Sequence, residues 1–120
     1  MSGRRAAERG RWGEEQVERE LQRRGYTIRA RRYRSRYGEI DLIAENEAFL
    51  AFVEVKFRSS CAYGSGLEAV DTRKQCRLRQ TAELYLSANP AEKQPRFDVA
   101  EVCPAEEAGR VTITYIENAF

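Results

Sequence analysis

Phe49-Leu50-Ala51-Phe52-Val53-Glu54-Val55-Lys56-Phe57 is the stretch on which the fold turns. It is short, β-branched and aromatic, with no Gly or Pro, so it reads as a central β-strand. Side chains alternate along a strand, so Glu54 and Lys56 leave the same face. An acid and a base on a largely buried strand cost desolvation unless something compensates them. A metal ion or a phosphate is a natural compensator. Upstream, Gly38-Glu39-Ile40-Asp41-Leu42-Ile43-Ala44 reads as a second strand and supplies a further acid, Asp41.

Register decides whether these groups meet. Glu45-Asn46-Glu47 suits a tight turn between the two strands. A two-residue loop at Asn46-Glu47 places Glu39 opposite Glu54 and Asp41 opposite Phe52. It gathers Glu39, Asp41, Glu54 and Lys56 on one face. Ile40, Leu42, Val53, Val55 and Phe57 fall on the other, as a core face should. A three-residue loop would send Asp41 to the opposite side, and the apolar partition favours the first register.

The remaining elements follow from periodicity and punctuation. A first helix is expected from near Ala6 to Arg24, stopped by Gly25 as C′ residue. Val17 and Leu21 mark its inward stripe, Glu14 lies on the same stripe, and Gly10 and Gly13 leave room for close approach. The first strand is expected from Tyr26 to about Tyr33. After Phe57, Arg58 to Gly66 reads as a Ser- and Gly-rich loop. A second helix follows from about Asp71 to Ser87, with Leu78, Thr81, Ala82 and Tyr85 inward and Lys74 one turn earlier. Strands near Arg96–Val102 and Val111–Tyr115 complete the chain. The order αβββαββ predicts an α/β fold, a mixed β-sheet flanked by helices. Residues 1–120 read as a single domain with a flexible lead-in over residues 1–9.

Composition narrows the function classes. Among 120 residues, 42% are hydrophobic and 33% charged, a globular and highly charged chain. No apolar run approaches the roughly 18 residues a membrane span needs, and no signal peptide is visible. Three cysteines, Cys61, Cys76 and Cys103, suit reduced thiols in a cytoplasm, so a cytoplasmic location is expected. The absence of histidine excludes His-based triads and most zinc sites.

Charge is uneven. Residues 1–36 carry twelve arginines against five acids, and residues 37–120 nine bases against fourteen acids. From Gln22 to Gly38 run seven arginines (Arg23, Arg24, Arg29, Arg31, Arg32, Arg34 and Arg36) with Tyr26, Tyr33 and Tyr37 interleaved and no acid. Guanidinium forks suit phosphates and aromatic faces suit bases, so a polyanion is the expected partner. A solvated basic face is the plainer reading of the same stripe.

Two strand carboxylates beside a lysine suit phosphodiester hydrolysis. Mg²⁺ or Mn²⁺ prefers oxygen ligands, and Mg²⁺ keeps several waters, so few protein carboxylates suffice. Asp41 and Glu54 would be the metal carboxylates, with the Val55 carbonyl and Glu39 as further ligands. Lys56 would meet the scissile phosphate or orient water, and Glu14 would join from the first helix. Arg31, Arg32, Arg34, Arg36, Arg58 and Lys74 are the expected nucleic-acid contacts.

Each residue also has a plainer reading. An isolated Glu-x-Lys is usually an exposed ion pair. Glu14 serves equally well as an acid near a helix N-terminus. Lys74 reads more readily as a lysine lying along its helix. Arg58 either clamps phosphate or ends a strand, and Asp98 is read as a local partner of Arg96 rather than a catalytic acid.

The motifs Gly10-x-x-Gly13-Glu14, Gly25-Tyr26, Gly38 to Ala44, Phe52-Val53-Glu54-Val55-Lys56-x-Arg58, Arg96-Phe97-Asp98-Val99 and Asn118-Ala119-Phe120, with Lys74, resemble the YraN family of small bacterial proteins. The resemblance runs from about Gly10 to Phe120. Arg32 departs from it, since family members often carry Asn there. The family is regarded as endonuclease-like, similar to archaeal Holliday-junction resolvases and of the PD-(D/E)XK, restriction-endonuclease-like fold. The resemblance implies Asp41 and Glu54 as metal carboxylates, Lys56 as the catalytic lysine and Glu14 as the helix acid of the resolvase-like branch. The expected function is metal-dependent endonuclease action on DNA, branched or otherwise structured. The alternative is non-catalytic nucleic-acid binding in DNA processing. Symmetric cutting of two strands would call for a homodimer.

Overall fold

The computed structural model describes residues 2–58, 70–104 and 110–120. Along them run α1 (Ser2–Arg23), β1 (Thr27–Ser35), β2 (Gly38–Glu45), β3 (Phe49–Phe57), α2 (Thr72–Ala88), β4 (Gln94–Pro104) and β5 (Val111–Ile116). The five strands form one sheet in the order β1-β2-β3-β4-β5. Only β3 and β4 are parallel. Parallel neighbours need a crossover, and α2 is that crossover. This is the mixed, helix-flanked αβββαββ sheet that the sequence leads one to expect, and it is consistent with the restriction-endonuclease-like fold.

Helix α1 ends where its sequence says it should. Gly25 has φ +93°, and its N–H reaches Gln22 O at 3.0 Å while Tyr26 N–H reaches Leu21 O at 2.9 Å. These two bonds make a Schellman ending, with Leu21 and Tyr26 packed in one cluster. A Cβ at Gly25 would touch nothing, so the need is purely for positive φ. Gly25→Ala is therefore expected to cost about 1 kcal/mol. Urea denaturation checks this: the midpoint should fall with the slope unchanged.

Both sheet faces are apolar, each sealed by one helix. Val17 and Leu21 of α1 pack with Leu42, Ala44, Ala51, Val53, Ala100 and Val102. Leu78, Ala82 and Tyr85 of α2 pack with Ile40, Ile43, Leu50, Phe52 and Val99. The expected inward stripe of α2, including Thr81, is buried as a set. Gly13 lets α1 close on the sheet, since a Cβ there would stand 3.3 Å from Phe57. Gly10 has no such role: a Cβ there would meet nothing within 4 Å.

Three expectations need correction. The β2–β3 ladder runs Leu42↔Val53 to Glu45↔Leu50, two residues on from the expected register. Asn46 causes the slip: its side-chain oxygen accepts the N–H groups of Ala48 and Phe49 at 2.9 and 2.8 Å, moving the turn one residue along. A slip of two preserves the faces, but it takes Asp41 from Phe52 toward Glu54. Secondly, Ile40 does not share a cluster with Leu42 and packs toward α2 instead. Finally, Cys103 is disulfide-bonded while Cys76 is free and exposed, so the thiols are not all reduced. An odd cysteine count leaves one thiol over; it does not forbid a pair. The stretch expected as a loop lies, beyond Arg58, outside the described residues.

Candidate functional site

The sheet is irregular at Asp41. Pairing of β1 with β2 runs Arg31↔Leu42 and Tyr33↔Ile40, skipping Arg32 and Asp41. The β2–β3 ladder stops at Leu42↔Val53. Arg32 has φ +50°, a left-handed conformation that costs a non-glycine residue roughly 1–2 kcal/mol. Such strain clusters at functional sites. The break accounts for the turning of Ile40 and releases the Asp41 side chain from a regular face. Its Oδ2 accepts the Val55 N–H at 2.8 Å, completing by side chain what the ladder leaves open.

Glu54 leaves β3 on the α2 face and is 6% exposed. Its Oε1 lies 2.5 Å from Lys74 Nζ and 3.4 Å from Lys56 Nζ. Lys74 does not simply lie along its helix; it reaches the β3 acid. Its distance from Glu54 in sequence hid this, and its place one turn before Leu78 on the inward stripe was the available signal. Burial tends to lower the Lys74 pKa, but the bond to Glu54 and the contact with Lys56 outweigh it, leaving it above the usual lysine range. For Lys56, burial and then the Lys74 contact lower the pKa, with Glu54 only partly opposing. The two lysines are thus shifted in opposite directions by one shared acid and each other.

Asp41 is pushed up to about 7, first by burial and then by the charge of Glu54, against the Val55 N–H bond that favours its anion. Glu14 and Glu39 add smaller repulsions. All four expected acids therefore act on one region. They do not form a closed cage: among the described residues no three Asp, Glu, Cys or His side chains come together to hold a metal. Glu14 accepts Arg32 Nε at 2.8 Å, and Glu39 lies 3.7 Å from Arg34. Two carboxylates nevertheless suit Mg²⁺ in ligand chemistry, since it takes oxygen ligands and needs few from protein. The repulsion that drives Asp41 to take a proton is one a divalent cation would relieve.

This perturbation has a consequence for stability. Asp41 moves from 3.8 to about 7, so between those values the folded chain binds the proton more readily than the unfolded chain. Stability then falls as pH rises through that window. Asp41→Asn, which still offers an oxygen to Val55, is expected to raise the unfolding free energy at pH 8 by on the order of 2 kcal/mol. At pH 4 it should change little. Metal-free denaturation curves at both pH values check it, and no gain at pH 8 would refute it.

The arginines expected to contact nucleic acid are mostly paired. Arg31 binds Glu18, with Nε to Oε2 at 2.9 Å, and Arg29 lies 3.4 Å from Glu45. Arg32 and Arg34 hold Glu14 and Glu39 as described above. Arg36 lies over the Tyr37 ring at 4.9 Å, and Arg58 is 3.8 Å from Glu101. The most exposed pair, Arg34 with Glu39, contributes only about 0.2–1 kcal/mol, so a polyanion can displace it at small cost, whereas Arg58 faces a buried carboxylate.

A profile of the uncharacterised protein family UPF0102 matches residues 13–102. The chain belongs to this family, also called YraN. A UPF0102 protein of Symbiobacterium thermophilum is 47% identical over 112 residues, covering 92% of this chain and 94% of that one. One from Syntrophomonas wolfei is 42% identical over 114 residues, covering 94% and 97%. One from Clostridium acetobutylicum is 40% identical over 112 residues, covering 92% of each. The UPF0102 match spans the break at Asp41, both site lysines and the whole of β3. Among the described residues, no helix is long and apolar enough to cross a membrane.

Proposed function

We propose that this UPF0102 protein is a metal-dependent endonuclease acting on DNA, branched or otherwise structured. The observation that carries the reading is the meeting at the broken end of the β2–β3 ladder. There Asp41 and Glu54 repel each other, while Lys56 and Lys74 both lie on Glu54. Asp41 and Glu54 would hold Mg²⁺ or Mn²⁺. The chemistry supplied by such an ion, when bound, is charge neutralisation at the phosphate and acidification of water. Lys74, which holds its proton, sets a positive charge against a phosphate oxygen. Lys56, beside Glu54 on the same strand face, donates to a phosphate oxygen or orients the attacking water. The Val55 N–H fixes the Asp41 carboxylate, so the pair is oriented before substrate arrives.

The test is incubation with labelled single-stranded, duplex and four-way-junction DNA in Mg²⁺, Mn²⁺ or EDTA. Cutting is expected with metal and absent with EDTA. Binding without cutting under either metal would leave the non-catalytic reading in its place.

A further inference from the structure

We propose that the groove between the β1–β2 turn and the exposed side of α2 carries the nucleic-acid strand flanking the candidate site, with Arg73 and Arg77 on two phosphates and Tyr37 as a stacking wall. The inference deepens the endonuclease reading and rests on it for the identity of the polyanion. The groove encloses about 490 Å³ and is lined by Tyr37, Gly38, Lys74, Arg73 and Arg77. Lys74 belongs to both places: its ammonium lies on Glu54, and the residue also lines the groove. A strand with one phosphate at the site therefore leads directly into this groove.

Charge separates Arg73 and Arg77 from the arginines of β1. The β1 side chains are neutralised by acids of α1 and β2. Arg73 and Arg77 are exposed, and among the described residues neither has an ion-pair partner. They stand one helical turn apart, a spacing at which like charges repel. A string of phosphates along the helix removes that repulsion. Two acids also line the groove, and both have partners. Asp71 caps α2 through the Lys74 N–H at 2.8 Å, and Glu39 faces Arg34. Arg73 and Arg77 are thus left for an outside anion.

The opposite wall is held in place. The Ser35 hydroxyl meets the Thr81 hydroxyl of α2 at 2.8 Å and accepts the Tyr37 N–H at 3.0 Å. Tyr37 is therefore tied through Ser35 to the helix that carries the arginines. Its ring bears the Arg36 guanidinium, a composite aromatic and cationic surface of the kind that stacks bases without reading sequence.

Fluorescence anisotropy in EDTA, with a labelled single strand and a labelled duplex, tests this without chemistry. For the Arg73→Gln/Arg77→Gln double variant, the slope of log affinity against log salt should shrink by about 1.4 on the single strand and about 1.8 on the duplex. Arg19→Gln, on the α1 side of the sheet, removes a charge elsewhere and should leave the slope unchanged. Tyr37→Leu should weaken single-strand binding roughly tenfold with its slope kept. If the wild type cuts DNA but the double variant keeps the full slope, the groove is refuted and the endonuclease reading survives. If the slopes shrink as stated but no metal supports cutting, the groove stands and the endonuclease reading fails. Absence of wild-type binding at low salt overturns both.

Discussion

Glu54→Gln is expected to lower metal-dependent cleavage by on the order of a thousandfold while leaving DNA binding in EDTA intact. Shape is conserved in this substitution, and only the charge is lost. Glu54 is the side chain on which both site lysines meet, and its charge is the largest electrostatic influence on Asp41. A neutral amide there makes a poor ligand for a hard cation and leaves Lys56 and Lys74 facing each other without an anion. A second readout does not depend on chemistry. Mn²⁺ should raise the melting temperature of the wild type and fail to raise that of Glu54→Gln, since only a species bound by the native state stabilises it. Cleavage surviving in Glu54→Gln would remove this acid from the site. Equal Mn²⁺ stabilisation of both proteins would move the metal elsewhere.

The order of elements was legible because each is punctuated by residues with one physical meaning. Gly25 can end α1 in a left-handed turn, Asp71 caps α2 and the apolar run of β3 has no breaker. The pairing of Asp41 and Glu54 was legible in kind but not in register. A hairpin pattern of period two cannot distinguish registers two residues apart, and the side-chain bonds of Asn46 chose between them. The face of Ile40 was hidden for a different reason: alternation predicts regular strands, and the pairing of this strand with β1 is interrupted at Asp41. The fate of the arginines was hidden because pairing is tertiary. Glu18 and Arg31 are thirteen residues apart and read as independent until α1 lies on the sheet. Arg73 and Arg77 were not legible as a site because two arginines on a helix lack any local signature.

Asp98→Ala is expected to destabilise the fold by about 3–5 kcal/mol, a large share of the 5–15 kcal/mol that holds a domain of this size together. Asp98 is 0% exposed and Arg96 7%. The carboxylate accepts Arg96 Nε at 2.9 Å, the Tyr115 hydroxyl at 2.6 Å and the Asn118 N–H at 2.9 Å. One side chain thereby ties β4 to β5 and to the turn beyond it. The Arg96 guanidinium lies over Phe49 at 4.5 Å and also reaches the Tyr26 hydroxyl. Burial pushes the Tyr115 hydroxyl pKa up, and the adjacent Asp98 charge pushes it further, so Tyr115 stays a donor. Without Asp98 the buried cation keeps, among the described residues, the Tyr26 hydroxyl, the Phe49 face and an exposed Glu117 at 3.8 Å, with no buried anion. A buried charge stripped of its partner costs more than the pair contributed, so Arg96→Met/Asp98→Leu should unfold less readily than Asp98→Ala. Urea midpoints of the three proteins decide this, and a loss under 1 kcal/mol for Asp98→Ala would refute it. The same variant separates a structural acid from a catalytic one. Asp98 pairs with Val53, next to Glu54, but from the opposite sheet face. Cleavage by Asp98→Ala at a temperature where it remains folded should therefore persist, whereas Glu54→Gln stays folded and silent.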